Sequence, residues 1–209
     1  MAEPEFPQIY LITPPVVSLQ DFPATLARVL DAHHIACVRL ALATQEATDV
    51  AKIADALRDT CHARDVALVI DSHIGMVARL GLDGVHLNDG PRHVRTARKE
   101  LGADAIVGAF CGTSRHDGMS AGEAGADYVS FGPVRDTGLG DGIIAECDLF
   151  AWWSEMIEVP VVAEGGLDNT VTRELAPVTD FFGIGPEIWT SEDPAKALQG
   201  LIEAAGAAR

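Results

Sequence analysis

The stretch Gly125-Ala126-Asp127-Tyr128-Val129-Ser130-Phe131-Gly132-Pro133 constrains the fold more than any other in the chain. Gly125 and Ala126 suit the close of a helix, Tyr128 to Phe131 read as a short buried strand, and Gly132-Pro133 turns out of it into a glycine-rich loop. The same order recurs. Leu82-Asp83-Gly84-Val85-His86-Leu87 runs into Asn88-Asp89-Gly90-Pro91, and Val161-Val162-Ala163 runs into Glu164-Gly165-Gly166. Strands spaced by helices, with flexible loops at their carboxyl ends, predict a parallel sheet that works at one face.

The rest of the chain keeps this alternation. Short apolar strands are expected over 8–13, 36–42, 66–70, 84–87, 105–110, 128–131, 161–163 and 181–184. Helices are expected over 21–33, 44–61, 75–80, 94–101, 117–124, within 148–157, and over 169–175 and 194–208. Phe22, Leu26, Val29 and Leu30 mark the apolar face of the first helix, and Val50, Ile53, Ala54 and Leu57 that of the second. Strict alternation of this kind predicts an α/β fold, a single (β/α)8 TIM barrel over 1–209. A doubly wound open sheet is the runner-up, and the lack of GxGxxG after the first strand counts against it.

Composition sets the outer limits. With 209 residues, 48% hydrophobic and only 6% aromatic, the chain can bury one large aliphatic core. No apolar run approaches the roughly 18 to 20 residues a membrane span needs, and the start, 1–7, is acidic and proline-bearing, so a soluble, cytoplasmic protein is expected. Cys37, Cys61, Cys111 and Cys147 lie far apart without metal-site spacing and read as reduced, mostly buried thiols. A formal charge of −16, from 15 basic and 31 acidic residues, argues against a nucleic-acid partner. An anionic ligand must therefore be held by local donors. The one basic cluster, Arg92, Arg95, Arg98 and Lys99, reads as a solvated helix face.

Four phrases carry a family resemblance: Tyr10-Leu11-Ile12-Thr13; Asp83-Gly84-Val85-His86-Leu87; Gly125-Ala126-Asp127-Tyr128 followed by Gly132-Pro133 and Thr137; and Pro160-Val161-Val162-Ala163 followed by Gly165-Gly166. In register over about 8–200, they make the chain resemble the thiamine-phosphate synthase family and its relative, the thiazole tautomerase. The resemblance implies a transferase of thiamine biosynthesis. A pyrimidine methyl diphosphate loses pyrophosphate with the help of Mg²⁺, and the resulting cation is captured by the nitrogen of a thiazole phosphate. Such chemistry needs cations around the diphosphate, carboxylates for the metal and backbone amides for the phosphate.

Against the family pattern the chain keeps some parts and changes others. The family's Gln-x-Arg-x-Lys reads Cys37-Val38-Arg39-Leu40-Ala41, which leaves Arg39 to meet an anion or to be tethered by a nearby acid. The family's Asn-Asp-Arg becomes Asp71-Ser72-His73, so Ser72 falls at the metal-binding aspartate and Asp71 becomes the alternative ligand. After strand four, Pro91 falls at the second metal aspartate and Asp89 could stand in. Asp71 with Asp89 would make a two-carboxylate Mg²⁺ site, unless both simply cap helices. His86 is expected to pack beneath the site. After strand five the family's Gly-x-Ser-x-His admits two alignments: from the strand, Gly108-Ala109-Phe110 puts Phe110 at the serine, and from the motif, Gly112-Thr113-Ser114-Arg115-His116 fits. Ser114 could also be a helix cap, Arg115 or His116 could face an anion, and His116 could move a proton.

The loop Gly132-Pro133-Val134-Arg135-Asp136-Thr137 keeps the first threonine and lacks the family's lysine, whose charge Arg135 could restore. Gly165 and Gly166, with Gly185 after strand eight, are the phosphate-binding candidates. Pro186 removes one amide donor, and Glu164 and Glu187 add negative charge there. The catalytic candidates are thus Arg39, His116, Arg135 and Thr137; the substrate-binding candidates are Asp71, His73, Ser114, Gly132, Gly165, Gly166 and Gly185. Two other readings stand beside the synthase: a metal-free tautomerase-like isomerase leaning on His116 or His73, and a non-catalytic metabolite-binding paralogue. Homo-oligomerisation through Trp152-Trp153 is open, with core packing the preferred reading of that pair.

Overall fold

A computed structural model describes residues 6–207 of the chain. The acidic start over 1–5 and the last residue of the final expected helix, Ala208, lie outside the described residues. In chain order the elements are β1 (Gln8–Ile12), α1 (Phe22–Ala32), β2 (Ile35–Leu40), α2 (Ala47–His62), β3 (Ala67–Asp71), α3 (Ile74–Leu80), β4 (Gly84–Leu87), α4 (Val94–Leu101), β5 (Ile106–Phe110), α5 (Arg115–Glu123), β6 (Tyr128–Phe131), α6 (Cys147–Met156), β7 (Val161–Glu164), α7 (Asn169–Leu175), β8 (Phe181–Ile184), α8 (Pro186–Trp189) and α9 (Pro194–Gly206). All neighbouring strands pair in parallel, and β8 pairs with β1, so the sheet closes into a barrel. No helix among the described residues is long and apolar enough to cross a membrane.

The alternation of each strand divides the core in two. Leu11, Val38, Leu40, Leu68, Ile70, Val85, Val129 and Ile184 join the cluster between barrel and helices. Tyr10, Cys37, Val69, Tyr128 and Val162 form a smaller cluster inside the barrel. There the Tyr10 and Tyr128 hydroxyls lie 2.6 Å apart, and His86 Nδ1 lies 2.9 Å from the Tyr128 hydroxyl. Gly108 makes this possible, because a Cβ at that position would overlap the Tyr128 ring. Burial, then the neighbouring charge of Arg39, holds the His86 pKa well below its usual value, which keeps the imidazole neutral. His86 is thus a packing residue beneath the site, as expected.

Three features differ from the expectation or sharpen it. Helix α5 begins two residues early, because the Ser114 hydroxyl accepts from the Asp117 amide at 3.1 Å and caps it. The four-residue α8 was not legible in advance; Pro186 suits its first turn. The expected solvated face of α4 loses Arg98, whose guanidinium donates to the Gly125 and Ala105 carbonyls and pairs with Asp127. A basic residue near a helix end is drawn to carbonyls left unpaired by the adjoining loops.

The tryptophan pair serves the core. Trp153 is 1% exposed, packs edge-on against Phe131 at 5.0 Å and donates its indole N–H to the Val159 carbonyl. Trp152 is half-buried, with the Arg115 guanidinium carbon 4.6 Å from its ring centroid. Cys37, Cys61 and Cys111 are buried free thiols, while Cys147 is exposed.

Candidate functional site

Position 39 alternates with the outward-facing Val38 and Leu40, so β2 carries Arg39 into the barrel near the carboxyl end, where it is only 6% exposed. Its Nε donates to Asp71 Oδ1 at 2.6 Å, Nη1 to Glu164 Oε2 at 3.0 Å, and Nη2 to Asp71 Oδ2 at 3.3 Å and Asn88 Oδ1 at 3.2 Å. Asn88 returns a bond, donating Nδ2 to Asp71 Oδ2 at 3.0 Å. Residues at the ends of β2, β3 and β7 and in the loop after β4 are thereby tied into one network. Burial disfavours the guanidinium charge, but Glu164 and Asp71 outweigh it and hold the Arg39 pKa above its ordinary value.

The tethered reading of Arg39 is the one the structure shows, and the same residue lines a cavity of about 630 Å³ at the carboxyl ends of the strands. A guanidinium carries five N–H donors, and one Nη1 proton has no acceptor among the described residues. Thr137, Glu164, Gly165, Gly166 and Glu187 share that cavity wall. Glu164 is 2% exposed and uses only Oε2; its Oε1 has no hydrogen-bond partner among the described residues.

The loop after β6 folds over the loop after β7. The Val134 and Arg135 amides donate to the Gly165 carbonyl at 2.9 and 3.1 Å, which brings Thr137 against Gly166. Gly132 is required here, because a Cβ on it would overlap the Glu164 carbonyl oxygen. Gly165 and Gly166 take φ of 85° and 92°, a conformation that favours glycine. Arg135 is 47% exposed and pairs through Nε with Asp168 at 3.0 Å.

Asp168 also caps α7, accepting from the Thr170 and Val171 amides at 2.8 and 2.9 Å. The Val171 amide, with Thr170 and Arg135, holds its carboxyl below the usual range against a smaller opposing effect of burial. A lowered carboxyl pKa stabilises the fold above the unfolded value, about 3.9, and that stabilisation is lost as pH falls through the folded value. Asp168→Ala is accordingly expected to cost about 1 kcal/mol near neutrality. The difference in thermal midpoint from wild type, plain at pH 6, should narrow on titration to pH 3.

The remaining candidates are distributed around this centre. Gly185 precedes α8, and its amide faces Glu187. His73 stands at the start of α3 without a side-chain cap bond and, with Asp71, Ser72 and Asn88, lines a separate recess of about 70 Å³. Asp89 turns to His93, away from the Arg39 network that holds Asp71. Neither carboxylate caps a helix through its side chain. The described residues contain no group of three or more His, Cys, Asp or Glu side chains placed to hold a metal. Ser114 serves α5, and His116 lies exposed on that helix, outside the 630 Å³ cavity. Sequence reasoning did not single out Asn88 or the tether made by Glu164; the only signal was their place at strand ends.

A closed eight-stranded parallel barrel with a charged cavity at the carboxyl ends of its strands defines a (β/α)8 barrel of the enzyme class. The sequence profile of the family described as thiamine monophosphate synthase matches residues 9–184, and the chain belongs to that family. A thiamine-phosphate synthase of Rhodospirillum centenum is 42% identical over 198 residues, covering 91% of this chain and 94% of that one. Another, of Erythrobacter litoralis, is 37% identical over 215 residues and covers both chains completely. Among solved structures, the thiamine phosphate pyrophosphorylase of Pyrococcus furiosus superposes with a TM-score of 0.81 at 23% identity over 96% of each chain, a likeness of fold.

Proposed function

We propose that this protein is a thiamine-phosphate synthase, a transferase that joins a pyrimidine methyl diphosphate to a thiazole phosphate with release of pyrophosphate. The observation that carries the reading is the family match over 9–184 with Arg39 kept in the wall of the cavity. Relatives more than a third identical over nearly the whole chain bear the synthase name, which favours this reading over the tautomerase and the non-catalytic paralogue. His116, one base available to an isomerase, lies outside the cavity wall.

Arg39 is the residue to meet the diphosphate, through its unpaired Nη1 proton and its fixed charge. Arg135, whose one ion pair among the described residues is an exposed one with Asp168, can turn toward the same leaving group. Thr137 positions the substrate from the covering loop, and Gly132 sets the path of that loop. Gly165, Gly166 and Gly185 present backbone to the thiazole phosphate. Ser114 and His116 take no part in this reading, whereas His73 borders the recess beside Asp71.

The formal charges at the floor are one positive, Arg39, and two negative, Asp71 and Glu164. A diphosphate entering a site of net negative charge needs a further cation. Asp71 and the Asn88 carbonyl oxygen suit Mg²⁺, an ion that keeps several waters and takes substrate phosphate oxygens as ligands. When bound, Mg²⁺ would neutralise charge on the departing pyrophosphate. Asp89 joins such a set only by leaving His93. The partners are thus small phosphorylated molecules.

Calorimetric titration with the pyrimidine methyl diphosphate tests this account. Binding is expected to be at least about tenfold tighter with Mg²⁺ than without. In Asp71→Asn most of that gain should disappear. Equal binding with and without the ion would remove Mg²⁺ from the proposal.

A further inference from the structure

Two of the amides assigned above to the thiazole phosphate, those of Gly166 and Gly185, are already engaged by the chain itself, together with the amide of Leu167. Glu187 Oε1 accepts from the Gly166 amide at 2.9 Å and the Leu167 amide at 3.2 Å, and Oε2 accepts from the Gly185 amide at 2.7 Å. One carboxylate thus spans the loops after β7 and β8 and takes three N–H donors, an arrangement that suits a phosphate oxygen equally well. The carboxylate is half-buried and belongs to the cavity wall, so it has room to leave. Pro186 has no N–H to offer, and Glu164 adds a second acid to the same wall.

We propose that Glu187 is a displaceable internal anion that occupies the phosphate cup and sets the affinity of this end of the site for phosphate. The proposal rests on the synthase reading for the identity of the substrate, while the competition itself follows from the three bonds. With Glu187 in place, an incoming phosphate finds its donors taken and a like charge beside it. Phosphate binding is therefore an exchange, and its net gain is the difference between two charge-assisted sets of bonds. While the cup waits for substrate, the same carboxylate clamps the two loops together. Glu187 is then a specificity-determining residue: an alternative ligand too weakly anionic to displace it gains nothing from the cup.

The test compares wild type with Glu187→Ala and Glu187→Gln, using inorganic phosphate as the probe in calorimetry and thiazole phosphate in steady-state kinetics. Removal of the carboxylate is expected to tighten phosphate binding by about tenfold or more and to lower KM for thiazole phosphate. Affinity for the pyrimidine diphosphate, which does not compete for these three amides, should change less than affinity for phosphate. Glu187→Gln keeps the bulk, turns one donor toward the amides and should shift phosphate binding in the same direction. Should Glu187→Ala fail to fold in a thermal unfolding control, the Gln variant decides. Unchanged or weaker phosphate binding in a folded variant overturns the proposal, which would make Glu187 a structural clamp only. A wild type that makes product while the variants bind phosphate no tighter leaves the synthase reading intact. Tighter phosphate binding in the variants of a protein that makes no product overturns the synthase reading instead.

Discussion

Arg39→Met is expected to abolish detectable turnover and to lower the free energy of unfolding by about 3–5 kcal/mol. The guanidinium is buried and holds Asp71, Glu164 and Asn88 at once. Its removal leaves two carboxylates facing each other in a low-dielectric interior with no cation between them. The loss of turnover follows from the loss of the one fixed positive charge in that network. Arg39→Lys separates the two effects. An ammonium restores the charge but cannot make the forked contact with Asp71, so stability should recover in part and kcat should remain low. Urea titration and initial rates on the same preparations give both numbers. A methionine variant as stable as wild type would show that the ion network contributes nothing net to the fold.

Gly132→Ala is the second change with a large expected effect. The added methyl overlaps the Glu164 carbonyl oxygen, a backbone atom of β7 that cannot swing aside. Overpacking commonly costs about 1–3 kcal/mol, and a clash with backbone in a closed barrel belongs at or above the upper end. Because Glu164 is the residue displaced, the pairing with Arg39 is disturbed as well, and KM and kcat should both worsen. Gly200→Ala supplies the contrast. It lies in α9 with nothing within 4 Å of an added Cβ, so it is expected to stabilise by about 0.5–1 kcal/mol. A single substitution type with opposite signs at the two positions is read directly from thermal midpoints.

Much of the fold was legible because the signals were local. The apolar strands followed by glycine loops, and the helical spacing of Phe22, Leu26, Val29 and Leu30, fix the elements, and their alternation leaves a barrel as the simplest closure. The site was legible only where one residue carries its own evidence. Arg39 between apolar neighbours announces an inward charge, and Gly165-Gly166 announces exposed backbone. What it pairs with depends on register between strands distant in sequence: Arg39 meets Asp71 across 32 positions and Glu164 across 125. Asp89 shows the same limit from the other side, since its partner His93 lies in the following turn and wins by proximity over a distant shared metal site. Glu187 read as an unwelcome charge near a phosphate, and its bonds to three amides of two separate loops could not be read from its place in the chain. Ser114 is the opposite case: its residue type already offered a helix cap, and its hydroxyl does cap α5, starting the helix two residues before the expected position.

The most direct test of the synthase account is a product assay on the full chain. Pyrimidine methyl diphosphate and thiazole phosphate are supplied with Mg²⁺, and thiamine phosphate and pyrophosphate are quantified together. The account predicts the two products in equal amounts, dependent on Mg²⁺ and absent with Arg39→Met. Folded wild-type protein that binds both substrates and yields neither product would contradict it.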